Sequence, residues 1–159
     1  MQIARFLEPH PSTYRPAIDV DATLWPLVVV RYDGVTSPED WERMFARYRE
    51  LHTRGERFYN LNDARRSGVP SAVERAVIGR HTRSIEVPTR NLLIGACTVL
   101  DNALIRGALT AIHWLAPPAY PTAVVASVAE GHVVAAAIIE KDGLQVHPDH
   151  AKLLRANAR

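Results

Sequence analysis

The densest group of polar side chains in this sequence is Asp63, Arg65, Arg66 and Ser67, at the end of a short strand-like segment. A carboxylate, two guanidinium groups and a hydroxyl at this spacing favour the binding of an anion or of an acidic protein partner. Residues 57–106 contain eight arginines and four acidic residues, which gives a local charge of +4. A solvated helix face with scattered charges fits the same pattern, and the spacing does not distinguish these two interpretations.

A second pattern begins at Ser71, four residues after Ser67. Ser71 and Glu74 form a capping box, in which each side chain accepts a hydrogen bond from the other residue's amide at the start of a helix. Arg75 follows on the same helix. A helix N-terminus stabilises an anion, and a phosphate on Ser71 would change the local charge by nearly two units. The alternative is that Ser71 is a helix cap with no further role.

The motifs of several enzyme classes are absent from the sequence. It contains no glycine-rich phosphate loop of either common type and no nucleophile elbow. Its seven histidines include no H-E-x-x-H pair. The segment His147–His150 brings three potential metal ligands together, but its proline prevents a regular helical face. We therefore predict a non-enzymatic protein with no catalytic residues, no metal site and no cofactor.

The composition is that of one globular domain. The chain has 159 residues, of which 47% are hydrophobic and 23% charged, with a net charge of +2. Because the net charge is small and no aromatic residues interleave the arginines, we do not expect nucleic acid as a partner. Arginine supplies 17 of the 19 cationic residues, which we interpret as the codon bias of a bacterial genome rich in G and C.

Hydropathy predicts a cytoplasmic protein that does not insert into membranes. Residues 1–10 contain no apolar signal-peptide core, and no apolar stretch approaches the roughly 18 residues that a membrane span needs. The single cysteine, Cys97, lies within an apolar run and is expected to pack as a small buried hydrophobic residue.

Strand-like and helix-like segments alternate along the chain. This order predicts a single α/β domain with a central, mostly parallel mixed sheet of four to six strands and about four helices. We assign 1–16 to an N-terminal lead-in, 17–143 to the domain and 144–159 to a polar C-terminal tail. The predicted strands are Ala17–Val20 paired with Leu27–Tyr32, Phe58–Asp63, Asn91–Leu100 and Ala123–Val128; the predicted helices are Ser37–His52, Ser71–Ile85, Asn102–Leu115 and Glu130–Lys141.

Spacing also predicts which side chains face the core and where a helix ends. In the first helix, Ser37 is the expected N-cap, and the expected apolar stripe is Trp41, Met44, Phe45, Tyr48 and Leu51. Pro88 is expected to end the second helix. In the third predicted helix, the side chains expected to face inward are Leu104, Ile105, Ala108, Leu109, Ile112 and Leu115.

Three parts of this order resemble the STAS/SpoIIAA-like superfamily, the fold of bacterial anti-anti-sigma factors. They are Leu27–Gly34 with the helix after Ser37, Tyr59–Asp63 with Ser67–Ser71, and Asn102–Leu115 followed by Pro117, Pro118 and Ala123–Glu130. In that family a partner kinase phosphorylates a serine at the start of the second helix, and the phosphorylated protein then loses its hold on that partner. The resemblance implies Ser71 as the modified residue and Ser67 as the second candidate. The family's Asp-Ser-Ser-Gly pattern is replaced here by Val-Pro-Ser-Ala at 69–72.

We therefore expect a regulatory protein-interaction module of bacterial signalling or assembly, with a kinase or regulator as its partner. The expected partner face spans 63–83, including Asp63, Arg65, Arg66, Ser67, Ser71 and Arg75. Edge strands also allow a homodimer. The alternative function is a carrier of a small apolar ligand or lipid, because a sheet covered by helices can open a pocket between the two layers.

Overall fold

The computed structural model describes residues 15–115 and 119–157, and its centre is a five-stranded mixed sheet. The strands lie in chain order, with β1 antiparallel to β2 and every later neighbour parallel. This arrangement confirms the predicted fold class. The strands are β1 (Ile18–Leu24), β2 (Leu27–Gly34), β3 (Phe58–Ser67), β4 (Leu93–Val99) and β5 (Thr122–Val125).

Helices cover both faces of the sheet. The first three pack on one face and the fifth packs on the other, so the central strands are covered on both sides. The described residues form six helices, two more than predicted: α1 (Pro38–His52), α2 (Ala72–Ser84), α3 (Glu86–Leu92), α4 (Ala103–Leu115), α5 (Val128–Lys141) and α6 (Pro148–Asn157).

The apolar run 27–30 shows why the sheet needs helices on both faces. Val28 and Val30 join the core beneath α1, whereas Leu27 and Val29 join the core beneath α5. All four side chains are at most 2% exposed. A run with no polar alternation is typical of a parallel strand that is buried on both faces.

Helix α1 forms as its sequence predicts. The Ser37 hydroxyl accepts from the Asp40 amide at 3.3 Å, and the Asp40 carboxylate accepts from the Ser37 amide at 2.9 Å, which completes a capping box. The predicted apolar stripe is buried against the sheet and consists of Trp41, Met44, Phe45, Tyr48 and Leu51.

Most predicted boundaries differ from the structure by a few residues, and two of these differences have a clear physical cause. Strand β3 does not end at Asp63 but continues to Ser67, because β2 extends to Gly34 and provides it with a hydrogen-bonding partner. The second helix ends at Ser84, and Pro88 lies within the following helix, α3, rather than terminating α2. Pro88 is the third residue of α3, where the amide has no partner within the helix, so proline removes no hydrogen bond.

The prediction that α4 turns its apolar side chains inward was wrong for three of them. Leu104 and Leu115 are 82% and 88% exposed, and Ile105 is 52% exposed. The neighbour of α4 is β5, a four-residue strand that is too short to cover a helix of 13 residues. The side chains of Ala108 and Ile112, also predicted to face inward, lie outside the described residues, as do Pro117, Pro118 and most of the lead-in 1–16.

The segment predicted as a polar tail packs against the domain. Leu144 and Val146 contact the core beneath α5, and α6 follows. His150 of α6 is fully buried, lies edge-on to the His132 ring of α5 with 4.9 Å between centroids, and its Nε2 is 3.2 Å from the His132 carbonyl oxygen. A single buried imidazole therefore anchors a helix whose other side chains are mostly exposed.

Acid is expected to weaken this anchor. Burial lowers the pKa of both imidazoles. The charge of Arg31 lowers the pKa of His132 further, and the neighbouring His132 and His147 lower the pKa of His150 further. The unfolded chain therefore takes up more protons than the folded one, and the free energy of unfolding should fall from about pH 7 to about pH 5. Urea unfolding of the wild type and of His150→Gln at both pH values checks this. The substitution should reduce the pH dependence, and an unchanged pH dependence would contradict the assignment.

Candidate functional site

The predicted site residues lie at the edge of the sheet where the parallel strands end. Ser67, the last residue of β3, pairs with Gly34 at the end of β2, and the Gly68 amide donates to the Gly34 carbonyl at 3.0 Å. A Cβ on residue 68 would lie 2.9 Å from that carbonyl oxygen, so only glycine fits this close approach. The loop after β2 and the loop after β3 are therefore held side by side.

The arginines of this edge are paired with groups of the protein itself. Arg65 Nε is 2.8 Å from the Asp63 carboxylate, and Arg66 Nε is 2.8 Å from the Asp33 carboxylate. The hydrogen bond from Arg65 is the main cause that lowers the pKa of Asp63. Arg75 Nη1 donates to the Pro70 carbonyl at 2.7 Å. Arg65 and Arg66 are therefore paired with carboxylates of the protein, whereas the partner of Arg75 is a neutral carbonyl that leaves its positive charge in place.

The structure places Ser71 in the predicted capping box. Its hydroxyl accepts from the Glu74 amide at 3.2 Å, and the Glu74 carboxylate accepts from the Ser71 amide at 2.9 Å. Among the described residues, neither Arg65 nor Arg66 forms a hydrogen bond or ion pair with Ser71. The residues predicted as one cluster therefore form separate contacts along this edge. Asp63 pairs with Arg65, Arg66 pairs with Asp33, and Ser71 pairs with Glu74.

Glu74 is the functional-site residue whose wider role the sequence does not reveal. Its carboxylate, 5% exposed, also accepts from Trp41 Nε1 at 3.0 Å and from the Thr36 hydroxyl. Hydrogen bonds from Ser71, Thr36 and Trp41 lower the pKa of Glu74 to about 2. The side chain thus joins the start of α2 to the loop before α1 and to α1 itself. Local spacing predicts the contact with Ser71, but no local signal predicts contacts more than 30 residues away.

Three valines at the same edge face solvent. Val35 of the loop after β2 is 90% exposed, Val69 of the loop after β3 is 93% exposed, and Val73 in the first turn of α2 is 63% exposed. We call these three residues the valine patch. Val35 and Val69 lie on two adjacent loops, and Val73 lies on the helix that follows the second loop. Single exposed apolar residues are common, whereas exposed apolar residues that lie together can mark a surface that contacts another molecule.

A cavity of about 340 Å³ lies between the sheet and the first three helices. We call it the α1 cavity. Its walls are largely apolar and aromatic, and the exposed ion pair of Glu86 and Arg90 is among the residues that line it. The residues that line it include Tyr32, Trp41, Tyr48 and Tyr120, the two asparagines Asn60 and Asn62 of β3, and Ile78 of α2.

Two asparagines on β3 place a polar row inside this apolar cavity. The Tyr48 hydroxyl donates to Asn60 Oδ1 at 2.8 Å, and Asn60 Nδ2 donates to Asn62 Oδ1 at 3.1 Å. Burial raises the pKa values of Tyr32, Tyr48 and Tyr120 above the ordinary tyrosine value, so all three hydroxyls keep their protons at neutral pH. The sequence gives no sign of this row, since asparagines in a strand indicate only a local departure from apolar character.

Within the described part of the chain, no three histidine, cysteine, aspartate or glutamate side chains lie close enough together to hold a metal ion. Cys97 is buried in the core beneath α5, as predicted, and burial raises the pKa of its thiol to about 11. A thiol so far from its reactive thiolate form is a packing residue. None of the helices in the described ranges is long and apolar enough to cross a membrane.

No protein-family model and no curated protein matches this sequence. The resemblance to the STAS/SpoIIAA-like superfamily therefore stays a prediction. The bacterial source, the homodimer and the cytoplasmic location also stay predictions.

Replacing Glu74 tests the role of its carboxylate. Glu74→Gln keeps the shape of the side chain but removes the charge and one acceptor, so we expect a lower urea midpoint at neutral pH. The folded pKa of about 2 lies below the ordinary value of 4.5, so the stabilisation by Glu74 is present above about pH 4.5 and disappears towards pH 2. The difference from the wild type should therefore shrink over that range. A difference that stays constant down to pH 2 would contradict this role.

Proposed function

We propose that this chain is a regulatory protein-interaction module, and that its partner surface is the valine patch with the neighbouring residues Ser67 and Ser71. The observation that carries the proposal is the exposure of Val35 and Val69 on two loops held together at the ends of β2 and β3, and of Val73 in the first turn of α2. Burying one such side chain at an interface contributes about 1.5–3 kcal/mol at most, so three of them can anchor a partner.

The charges around the valine patch favour a partner with a short apolar segment rather than a strongly acidic one. Arg65 and Arg66 already form ion pairs within the protein, so they add orientation at the rim more than net attraction, and Arg75, which is bonded to the Pro70 carbonyl, contributes a single positive charge. Exposed ion pairs of this kind contribute little affinity but exclude partners that present like charges.

Ser71 is the proposed switch of this surface. Its side chain is exposed, and a phosphate there would occupy the position of the hydroxyl that caps the Glu74 amide. A helix N-terminus favours the phosphate, but the buried Glu74 carboxylate, which accepts from the Ser71 amide at 2.9 Å, repels it. Because Glu74 also holds Thr36 and Trp41, this repulsion would disturb both loops that carry the valine patch.

Substitution of Val69 tests the surface. Val69→Asp places a charge in the centre of the valine patch without touching the core, so partner affinity should fall about tenfold or more while stability stays the same. Val133→Asp is the matched control, because Val133 is 58% exposed on α5, away from these loops. A partner recovered with the wild type by affinity capture, then titrated against both purified variants, provides the measurement. Equal affinities for the two variants would exclude the valine patch as the interface.

Substitution of Ser71 separates a switch from a cap. Ser71→Ala removes the capping hydroxyl and should lower the free energy of unfolding by about 1 kcal/mol. Ser71→Glu should weaken partner binding, whereas Ser71→Ala should leave it unchanged. Mass spectrometry of the Ser71 peptide from native protein should find a phosphorylated fraction. If Ser71→Glu binds the partner as the wild type does and no phosphate is found, Ser71 is a helix cap only.

A further inference from the structure

We infer that the α1 cavity is a binding site for a small, uncharged ring compound that carries a carbonyl group. The site lies inside the domain and is separate from the valine patch, so this inference does not depend on the proposed protein interaction. If the chain is a carrier of a small apolar ligand, the α1 cavity is where that ligand binds.

The size of the cavity limits the ligand to one or two rings. Small-molecule sites in proteins usually enclose about 300–1,000 Å³, and the α1 cavity, at about 340 Å³, is near the lower end of that range. The floor of the cavity includes Asn60 and Asn62 of β3 and Leu93 of β4, and helices α1 to α3 supply most of the other walls.

The walls favour aromatic or alicyclic rings. Trp41, Phe45 and Tyr48 from α1 and Ile78 from α2 line the cavity, and all but the partly buried Ile78 are less than 10% exposed. The Trp41 N–H is already bonded to Glu74, so its ring presents an apolar surface to the cavity. Flat aromatic surfaces gain most from contact with other rings.

The polar row determines which functional group the ligand needs. The hydrogen bonds run from Tyr48 to Asn60 and from Asn60 to Asn62, which leaves Asn62 Nδ2 as the donor at the end of the row. Within the described residues this amide nitrogen has no acceptor. The protonated Tyr120 hydroxyl is a second donor in the lining. A cavity with unused donors is complementary to an acceptor, and a carbonyl oxygen supplies one.

The charges of the residues that line the cavity disfavour a ligand with a carboxylate. Arg90 lines the cavity, but its guanidinium is paired with Glu86, which lines the cavity as well. An anionic ligand would therefore enter an apolar space without a free cation, and the cost of removing a carboxylate from water would not be offset. A neutral carbonyl compound avoids this cost and still pairs with Asn62.

Three naphthalenes of similar shape test this assignment on the full wild-type chain. The compounds are 2-acetylnaphthalene, which has the carbonyl, 2-isopropylnaphthalene, which lacks it, and 2-naphthoate, which is charged. Titration followed by NMR of the backbone and asparagine side-chain amides gives each dissociation constant. We expect saturable binding of the acetyl compound with a shift of the Asn62 side-chain amide. The isopropyl compound should bind about five- to tenfold more weakly, the effect of one lost hydrogen bond, and the naphthoate more weakly still.

Two variants locate the ligand. Ile78→Phe adds a ring inside the cavity and should abolish binding, whereas Val133→Phe adds the same ring to the exposed face of α5 and should leave binding unchanged. Circular dichroism verifies that both variants are folded. If one variant does not fold, the comparison of the three ligands on the wild-type chain still tests the inference. No saturable binding of the acetyl compound, or equal affinity for all three, would overturn the inference.

Discussion

The parallel pairing of β2 with β3 is the constraint on which the rest of the structure depends. The first four residues of each strand are buried, and the register places Val28 beside Asn60 and Gly34 beside Ser67. The first contact determines what lies beneath α1, and the second brings together the two loops that carry the valine patch. A shift by one residue would exchange the two faces of β3, turning Asn60 towards α5 and Leu61 towards α1. The cavity and the loop edge therefore share one structural cause.

The two faces of the sheet are packed differently. Beneath α5, Tyr59, Leu61 and Val99 form a continuous apolar core, and Gly131 allows the helix to approach so closely that a Cβ there would lie 2.9 Å from the Leu61 side chain. Beneath α1, asparagines take the place of apolar residues on β3, and the α1 cavity lies between sheet and helices. Close packing on one face stabilises the fold, and this allows space on the other.

The sequence was sufficient for elements that depend on local patterns. The stripe of α1, its N-cap Ser37, the capping box of Ser71 and Glu74, and the apolar run of β2 are signals within a few residues, and the structure contains them all. The sequence was not sufficient where contacts between residues far apart in the chain determine the structure. The amphipathic pattern of α4 predicts an apolar face but not whether this chain covers it. The short helix α6, whose side chains are mostly exposed, depends on the burial of His150. The candidate site divides in the same way, since Ser71 was predictable and the contacts of Glu74 with Trp41 and Thr36 were not.

Strand order equals chain order in this sheet, from β1 to β5. Each strand therefore pairs with the strand that was synthesised just before it, beginning with the antiparallel pair of β1 and β2. No strand has to enter between two that are already paired, and each pairing closes only the loop or helix that separates neighbours in the chain. A chain emerging from the ribosome can thus extend the sheet one strand at a time, in the order in which its residues appear.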